Sequence, residues 1–410
     1  MNVALQRCID RWLGVPICGM LTLLRWMVGR RGNRPWPPRQ ILFIQLPEAG
    51  SLALASPTVR RVRELFPEAR LHFLVFARNR EFLELLDLIA PEDIWTLDDR
   101  TFGRFCVSVW RFFRQARSRG IDTTLDLDLF ARASMILACL SGARNRVGFD
   151  NYRAEGLYRG RLLTHPVSYN VYHHISANFW ALAETLAQRE PLQPAWKGRP
   201  REIVTLPRIA PDPGRVAAMR QRIVARCPEY DDSSRLVVLS PFSGNLLPIR
   251  AWPTEHYAVF VRQLLEADPS VVVLVIGLEE ARAYCVPLFS EVQSPRLVDF
   301  IGQTRNIAEV LDLLDLAHLF VSADSGPPHF ASLKKAPSIV FFGPECPMLY
   351  APLGENIHTV YLGLHCSPCV SAFNHRDTPC TDNQCLRRIE PSDVLKLAQE
   401  LLGSGQNSSS

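Results

Sequence analysis

The chain has no apolar run long enough to cross a bilayer near its start. Leu13 to Leu24 is charge-free but only twelve residues long, and Arg25 interrupts it, whereas a spanning helix needs about 20. The run also lacks a small-x-small cleavage site and is followed by arginines, so it does not read as a secretory signal. An even cysteine framework is missing as well. The eleven cysteines are scattered, apart from four near the C-terminus. That excludes a disulfide-stapled secreted domain and points to a reducing compartment. No Gly-x-Gly-x-x-Gly follows the first strand of either half, which disfavours a nicotinamide-dependent oxidoreductase.

What is present is a globular composition, 47% hydrophobic and 21% charged over 410 residues, a length that suggests about two domains. The net charge of +5 is uneven. Residues 1–40 hold seven arginines against Asp10, so nearly all the excess positive charge sits in a basic arm on a near-neutral body. This favours an anionic surface touched by the arm over a nucleic-acid groove, and no nucleic-acid partner is expected.

The arm spans residues 1–38. Trp12 and Trp26 beside arginines suit an amphipathic helix in a lipid headgroup layer, or equally a helix packed on the body. Residues 39–190 alternate strands (Gln40–Leu46, Leu71–Phe76, Ile94–Leu97, Thr123–Leu127) with helices (Arg80–Ile89, Phe102–Arg119, Arg132–Leu140). Ser56 before Pro57 reads as an N-cap with proline at the first helical position, with an earlier, kinked start as the alternative. The aromatic residues of Phe102–Arg119 read as core. A basic, loop-rich region follows from Arg144, and His173-His174 opens a helix to Leu186. Residues 191–213 form a Pro-rich linker. Residues 214–390 repeat the alternation with strands Leu236–Leu239, Val271–Ile276, Leu319–Ser322 and Ser338–Phe342. Residues 391–410 hold a helix, Pro391–Leu402, expected to pack back on the first domain, and a disordered tail. The pattern implies α/β architecture with doubly wound parallel sheets.

Asp324-Ser325-Gly326 and His329 fall between a strand end and a helix start, where backbone N–H groups bind phosphate, although Asp and Ser are also favoured N-caps. Ser243-Gly244-Asn245 has the same strand-to-helix setting. Glu279, just past the strand ending at Ile276, is placed to hold a ribose or simply to favour a helix N-terminus. Cys366-x-x-Cys369 and Cys380-x4-Cys385 have knuckle-like spacing for structural zinc. Free thiols and an iron–sulfur cluster are the alternatives.

These residues resemble one family. Asp324-Ser325-Gly326, His329, Gly343-Pro344 and Pro352 are similar to the C-terminal signature of the heptosyltransferase family, glycosyltransferase family nine. "LSPFSGNLLPIRAWPTEHYAVFVRQLL" resembles its phosphate loop followed by a basic residue, Trp and Pro. "QLPEAGSLALASPTVRRVRELFPEARLHFLV" resembles its first strand, loop and helix. The resemblance runs from roughly residue 40 to 400. It implies the GT-B architecture, two Rossmann-like domains facing across a cleft, and an inverting glycosyltransferase. The donor, by this resemblance an ADP-heptose, would meet Ser243, Gly244, Arg250, Glu279, Thr304, Asp324, Ser325, Gly326 and His329. The acceptor, a lipopolysaccharide core or another lipid-linked envelope glycan, would meet Gly50, Arg144 and Arg146 on the first domain. Such an enzyme works in the cytoplasm, peripheral at the inner membrane. No acidic pair flanks a short spacer, so no catalytic metal is expected. The departure lies at Gly50-Ser51, where the family carries Gly-Asp with the Asp as general base. Serine cannot take that proton near neutral pH. Glu48 in the same loop is the candidate replacement, and a nucleotide-sugar or glycan binder that has lost its base is the second reading.

Overall fold

The structure, a computed structural model, describes residues 3–28, 35–46, 49–150, 158–189, 205–245, 247–374 and 376–404. The chain divides into two compact units, Met1–Thr205 and Leu206–Ser410.

In the first unit the helices α1 (Val3–Trp12) and α2 (Gly14–Val28) precede β1 (Gln40–Ile44). Then come α3 (Ala49–Leu65), β2 (Arg70–Phe76), α4 (Arg80–Leu85), β3 (Ile94–Leu97), α5 (Phe102–Arg119) and β4 (Thr123–Asp126). The unit ends with α6 (Arg132–Leu140), β5 (Asn145–Phe149), β6 (His165–Val167) and α7 (Ile175–Leu186). The strands pair in parallel in the order β3-β2-β1-β4-β5-β6. Their near-continuous apolar runs suit burial on both faces. One core cluster joins Leu42 and Ile44 to Phe112 and Ala116 of α5 and Leu137 and Ala138 of α6, so α5 and α6 cover the same sheet face.

The second unit repeats the plan: α8 (Pro213–Val224), β7 (Arg235–Ser240), α9 (Thr254–Ala267), β8 (Val271–Val275), α10 (Arg282–Glu291), β9 (Leu297–Asp299) and α11 (Ile307–Leu316). It continues with β10 (Leu319–Ala323), α12 (Pro327–Ala331), β11 (Ser338–Phe342), α13 (Pro347–Tyr350), β12 (Ile357–Tyr361), α14 (Gln384–Arg387) and α15 (Pro391–Ser404). The order β12-β11-β10-β7-β8-β9, again all parallel, is the first sheet's topology over again. Trp252 is fully buried in its core, stacked on Phe341 at 4.6 Å with Nε1 donating to Ile389 O.

Several expectations change. Ser56 is not an N-cap: α3 starts at Ala49 and runs through Pro57. Proline has no N–H for the carbonyl four residues back, and Ser56 Oγ donates to that carbonyl, Ala53 O, at 2.6 Å. The linker expectation falls mostly on residues 190–204, outside the described residues, but its end starts α8, capped by Asp212 with Pro213 at the first turn. The basic region after Arg144 contains strands β5 and β6. Helix α15 packs on its own unit's core through Val394, Ala398 and Leu402. The arm is a pair of helices, and α2 seats on the body through Cys18 and Leu21 against Met135 and Leu162. Among the described residues no helix is long and apolar enough to cross a membrane.

Candidate active site

In the second sheet the strand order reverses between β7 and β10, so the loops leaving their carboxyl ends diverge and open a ligand crevice. The loop after β7 carries Ser243 and Gly244. Gly244 has φ +86°, and nothing lies within 4 Å of where a Cβ would sit, which leaves the backbone there open to a ligand. Ser243 Oγ donates to Leu247 O at 3.0 Å and folds the loop back on itself. A short turn, Pro248–Arg250, follows. Arg250 Nη1 lies 3.3 Å from Asp324 Oδ2 at the end of β10, with side chains 14% and 8% exposed. Guanidinium and carboxylate thus bridge the switch point. Arg250 Nε is buried without a hydrogen-bond partner among the described residues, a donor that a phosphate oxygen would satisfy.

Ser325 Oγ donates to Ala323 O at 3.1 Å, and Gly326 leads into α12, which carries His329. That helix has only five residues and opens on Pro327-Pro328, which have no N–H, while His329 N already donates to Gly326 O; main-chain donors at this end come from Ser325 and Gly326 and not from the helix terminus. Beyond β8, the structure redirects the ribose expectation. Glu279 is engaged by Arg282 (Nε to Oε1, 2.5 Å), and that bond holds its carboxyl below the usual range. Arg282 is tied in turn to Asp299 and to Ile301 O. The acid that reaches the phosphate loop is Glu280, whose Oε2 accepts from Asn245 Nδ2 at 3.0 Å. Gly302 has φ +71°, and a Cβ there would lie 2.5 Å from Glu279 Oε2. Thr304 follows in that turn, half-buried.

In the first unit the corresponding switch point lies between β1 and β4. Gly50 and Ser51 form the first turn of α3 past β1; Glu48 lies outside the described residues. Beside them, at the end of β4, is a group that the sequence analysis did not single out. Asp126 is fully buried and bonded by Arg159 and by Ser134 Oγ. Burial pushes its carboxyl up, with Arg159 opposing. The Asp128 carboxylate accepts from Leu46 N at 3.2 Å. An Asp-x-Asp closing an apolar strand was the available signal. Arg144 and Arg146 are not brought to this pole. Arg146 is 4% exposed and donates through Nε to Leu162 O and through Nη1 to Ala143 O, so main-chain carbonyls hold two of its three guanidinium nitrogens. Arg144 lines a cavity of about 290 Å³ at the amino ends of the strands, with Arg117 and Asp122.

The four clustered cysteines gather at the carboxyl end of β11. Cys369 N donates to Pro344 O at 2.9 Å, and a Cβ on Gly343 would lie 2.7 Å from Cys385 Sγ. Burial, then the neighbouring Cys369, Cys366 and Cys380, push the Cys385 thiol up to about 11. Four soft sulfur donors have the right chemistry for zinc or iron. Yet among the described residues no three potential ligands converge on one point. Cys366, Cys369, Cys380 and Cys385, the expected shell, thus lie near one another without being drawn in around a common point in this structure. Between them, Asn383 Nδ2 donates to Ile249 O and Ala251 O, at 2.8 and 3.1 Å. These are the carbonyls on either side of Arg250.

Known proteins resemble this chain in sequence and in fold. A lipopolysaccharide core heptosyltransferase, OpsX of Haemophilus influenzae, is 23% identical over 79% of this chain and 85% of its own. The structure of Escherichia coli ADP-heptose lipopolysaccharide heptosyltransferase II superposes with a TM-score of 0.69 at 17% identity, covering 90% of this chain and 99% of that one. TibC from enterotoxigenic E. coli, a dodecameric iron-containing heptosyltransferase solved with ADP-D-β-D-heptose, gives 0.50 at 14% identity over 90% and 77%. The GT-B fold is common to these two structures and this chain. The family model of glycosyltransferase family 9 (heptosyltransferase) matches residues 109–378, more than half of the chain, and the chain belongs to that family.

Proposed function

We propose that the protein transfers a heptose from ADP-heptose to a lipopolysaccharide core or a related envelope glycan, inverting the anomeric carbon without a catalytic metal. The observation that carries this is the Arg250–Asp324 bridge with its unsatisfied Arg250 Nε. As the acceptor oxygen bonds to the anomeric carbon, the bond to the diphosphate breaks and ADP leaves with the electron pair. A permanent guanidinium meets that charge. Asp324 holds Arg250 and sugar hydroxyls, and the Ser243–Gly244 loop and Thr304 line the rest of the donor site. The names of the relatives support ADP-heptose and lipopolysaccharide as substrates. The acceptor proton goes to a carboxylate near Ser51, either Glu48 or Asp128. The thiol cluster takes a structural metal, a reading that TibC's iron supports. Because the acceptor is lipid-anchored, the protein works at the cytoplasmic face of the inner membrane, attached through its N-terminal helices.

The test is transfer itself: ADP-heptose with core-truncated lipopolysaccharide, read by product mass and ADP release, against a panel of other nucleotide sugars. ADP-heptose should be used in preference to the others. Ser51 favours a second reading, a donor-binding homologue without turnover. ADP-heptose binding with neither transfer nor hydrolysis would establish that one instead.

A further inference from the structure

We propose that the first unit presents a two-part face to an anionic lipid surface, formed by the outward side of the consecutive helices α1 and α2 and the outward side of α5. It rests on the membrane-surface reading above and adds α5 to it.

The helix pair is a fixed part of the first unit. Gly14 lies so close to Arg132 that a Cβ would come within 2.6 Å of it. Gly160, at φ +72°, lies against Cys18 O, where a Cβ would be 2.7 Å away, and Arg161 N donates to Thr22 Oγ1 at 3.0 Å. Such close approaches fix which side of α2 faces inward. The outer side carries Trp12 (71% exposed), Leu23 (54%), Trp26 (79%) and Met27 (60%). The last three fall at the spacing of one helix face.

Charge separates this face from an ordinary exposed patch. Asp10 is the one acid of the two helices, and it is turned inward. Its Oδ1 accepts from Arg132 N at 2.9 Å and Ala133 N at 2.7 Å. It therefore caps α6, whose own flanking residue Ala131 supplies no side-chain cap. The exposed charges on the two helices are arginines: Arg11, and Arg25, whose Nη1 also donates to Leu162 O at 2.9 Å.

Helix α5 lies next to α6 on the same sheet face and has the same character. Its inner side enters the core through Phe112 and Ala116. Its outer side exposes Phe102 (62%), Val107 (49%) and Trp110 (57%). It contains five arginines and no acid. Arg104 pairs with Asp98 at 3.8 Å, while Arg111 and Arg114 are exposed and Arg114 lies over the Trp110 ring at 4.8 Å. Exposed indoles beside exposed arginines match a headgroup layer, where the ring sits at the interface and the cation meets lipid phosphate.

The test is co-sedimentation of the full chain with phosphatidylglycerol–phosphatidylcholine vesicles and with phosphatidylcholine alone. Three variants are compared: Trp12→Glu/Trp26→Glu, Trp110→Glu, and Arg111→Gln/Arg114→Gln. All these side chains are exposed, and circular dichroism confirms folding. At about 1 kcal/mol per basic group near an anionic surface, the double Arg variant should partition roughly 25-fold more weakly at low salt. Both Trp variants should also weaken binding, and phosphatidylcholine alone should bind little. If only the Trp12→Glu/Trp26→Glu variant loses binding, the α5 half is refuted and the α1–α2 half stands. If the full chain ignores anionic vesicles, both fall. If the variants alter oligomeric state and vesicles do not bind, the face joins protein to protein and the proposal is overturned.

Discussion

Replacing Arg250 by Ala tests the donor site most directly, because its two consequences separate. The guanidinium and the Asp324 carboxylate are 3.3 Å apart and largely shielded. Removing one partner of a buried pair costs about 3 to 5 kcal/mol; with the crevice side open to water, the lower figure applies here. Arg250 also loses its contact with the diphosphate. A hydrogen bond to a charged group contributes about 1.5–3 kcal/mol, so ADP should bind roughly 10- to 150-fold more weakly. Asp324→Ala and the double variant complete a cycle. Calorimetric titration with ADP and thermal unfolding are measured for all four proteins. Stability should partly recover in the double variant, since no buried charge is left alone, whereas ADP affinity should stay low. If ADP affinity recovers with stability, Arg250 is only a structural partner of Asp324 and the donor assignment is wrong.

Other expectations follow from the same geometry. If Glu48 is the base, Glu48→Gln lowers turnover by about 10² to 10⁴ with unchanged ADP affinity; Asp128→Asn does so if that carboxylate is the base, and Ser51→Asp raises the rate if neither is. Gly302→Ala should destabilise by at least about 1 kcal/mol, from the positive φ and the Glu279 contact, and weaken donor binding; an unchanged melting temperature would count against the described turn. Elemental analysis of protein purified without chelator should find about one zinc or iron per chain, and Cys366→Ser/Cys369→Ser should lose it; metal-free wild-type protein rules the site out. Burial pushes the Cys18 thiol up to about 11. It should resist alkylation at neutral pH, and the stability held by the neutral thiol should be full below about 8.5 and drain away as pH climbs to about 11. Rapid labelling at pH 8 would mean that α2 is not seated on the first unit.

The donor half was largely legible because its strands are short β-branched runs ended by small polar turns, as in Val271–Val275 before Gly277. Strand β5 was hidden because Arg146 stands inside it. A buried arginine is tolerable only where carbonyls such as Leu162 O receive it, and those partners are distant in sequence. Helix α8 was lost among prolines, although Asp212-Pro213 is a regular helix start. Asp126 and Asp128 escaped notice because their importance depends on β4 lying beside β1, and strand order is not written in local pattern. Glu279 is taken by Arg282, three residues on, an i,i+3 pairing that is written in the sequence, and this leaves Glu280 as the acid that reaches Asn245.

Asn383 has a consequence that reaches past the hydrogen bonds it makes. Its amide grips the main chain on both sides of Arg250, so the cysteine segment and the turn that carries the donor arginine form one mechanical part. Whatever orders one end must then favour the other, and the coupling runs equally in both directions. ADP bound at Arg250 should slow proteolysis and thiol oxidation between residues 366 and 385. Oxidation of those thiols should in turn lower ADP affinity, and an Asn383→Ala variant should uncouple the two ends.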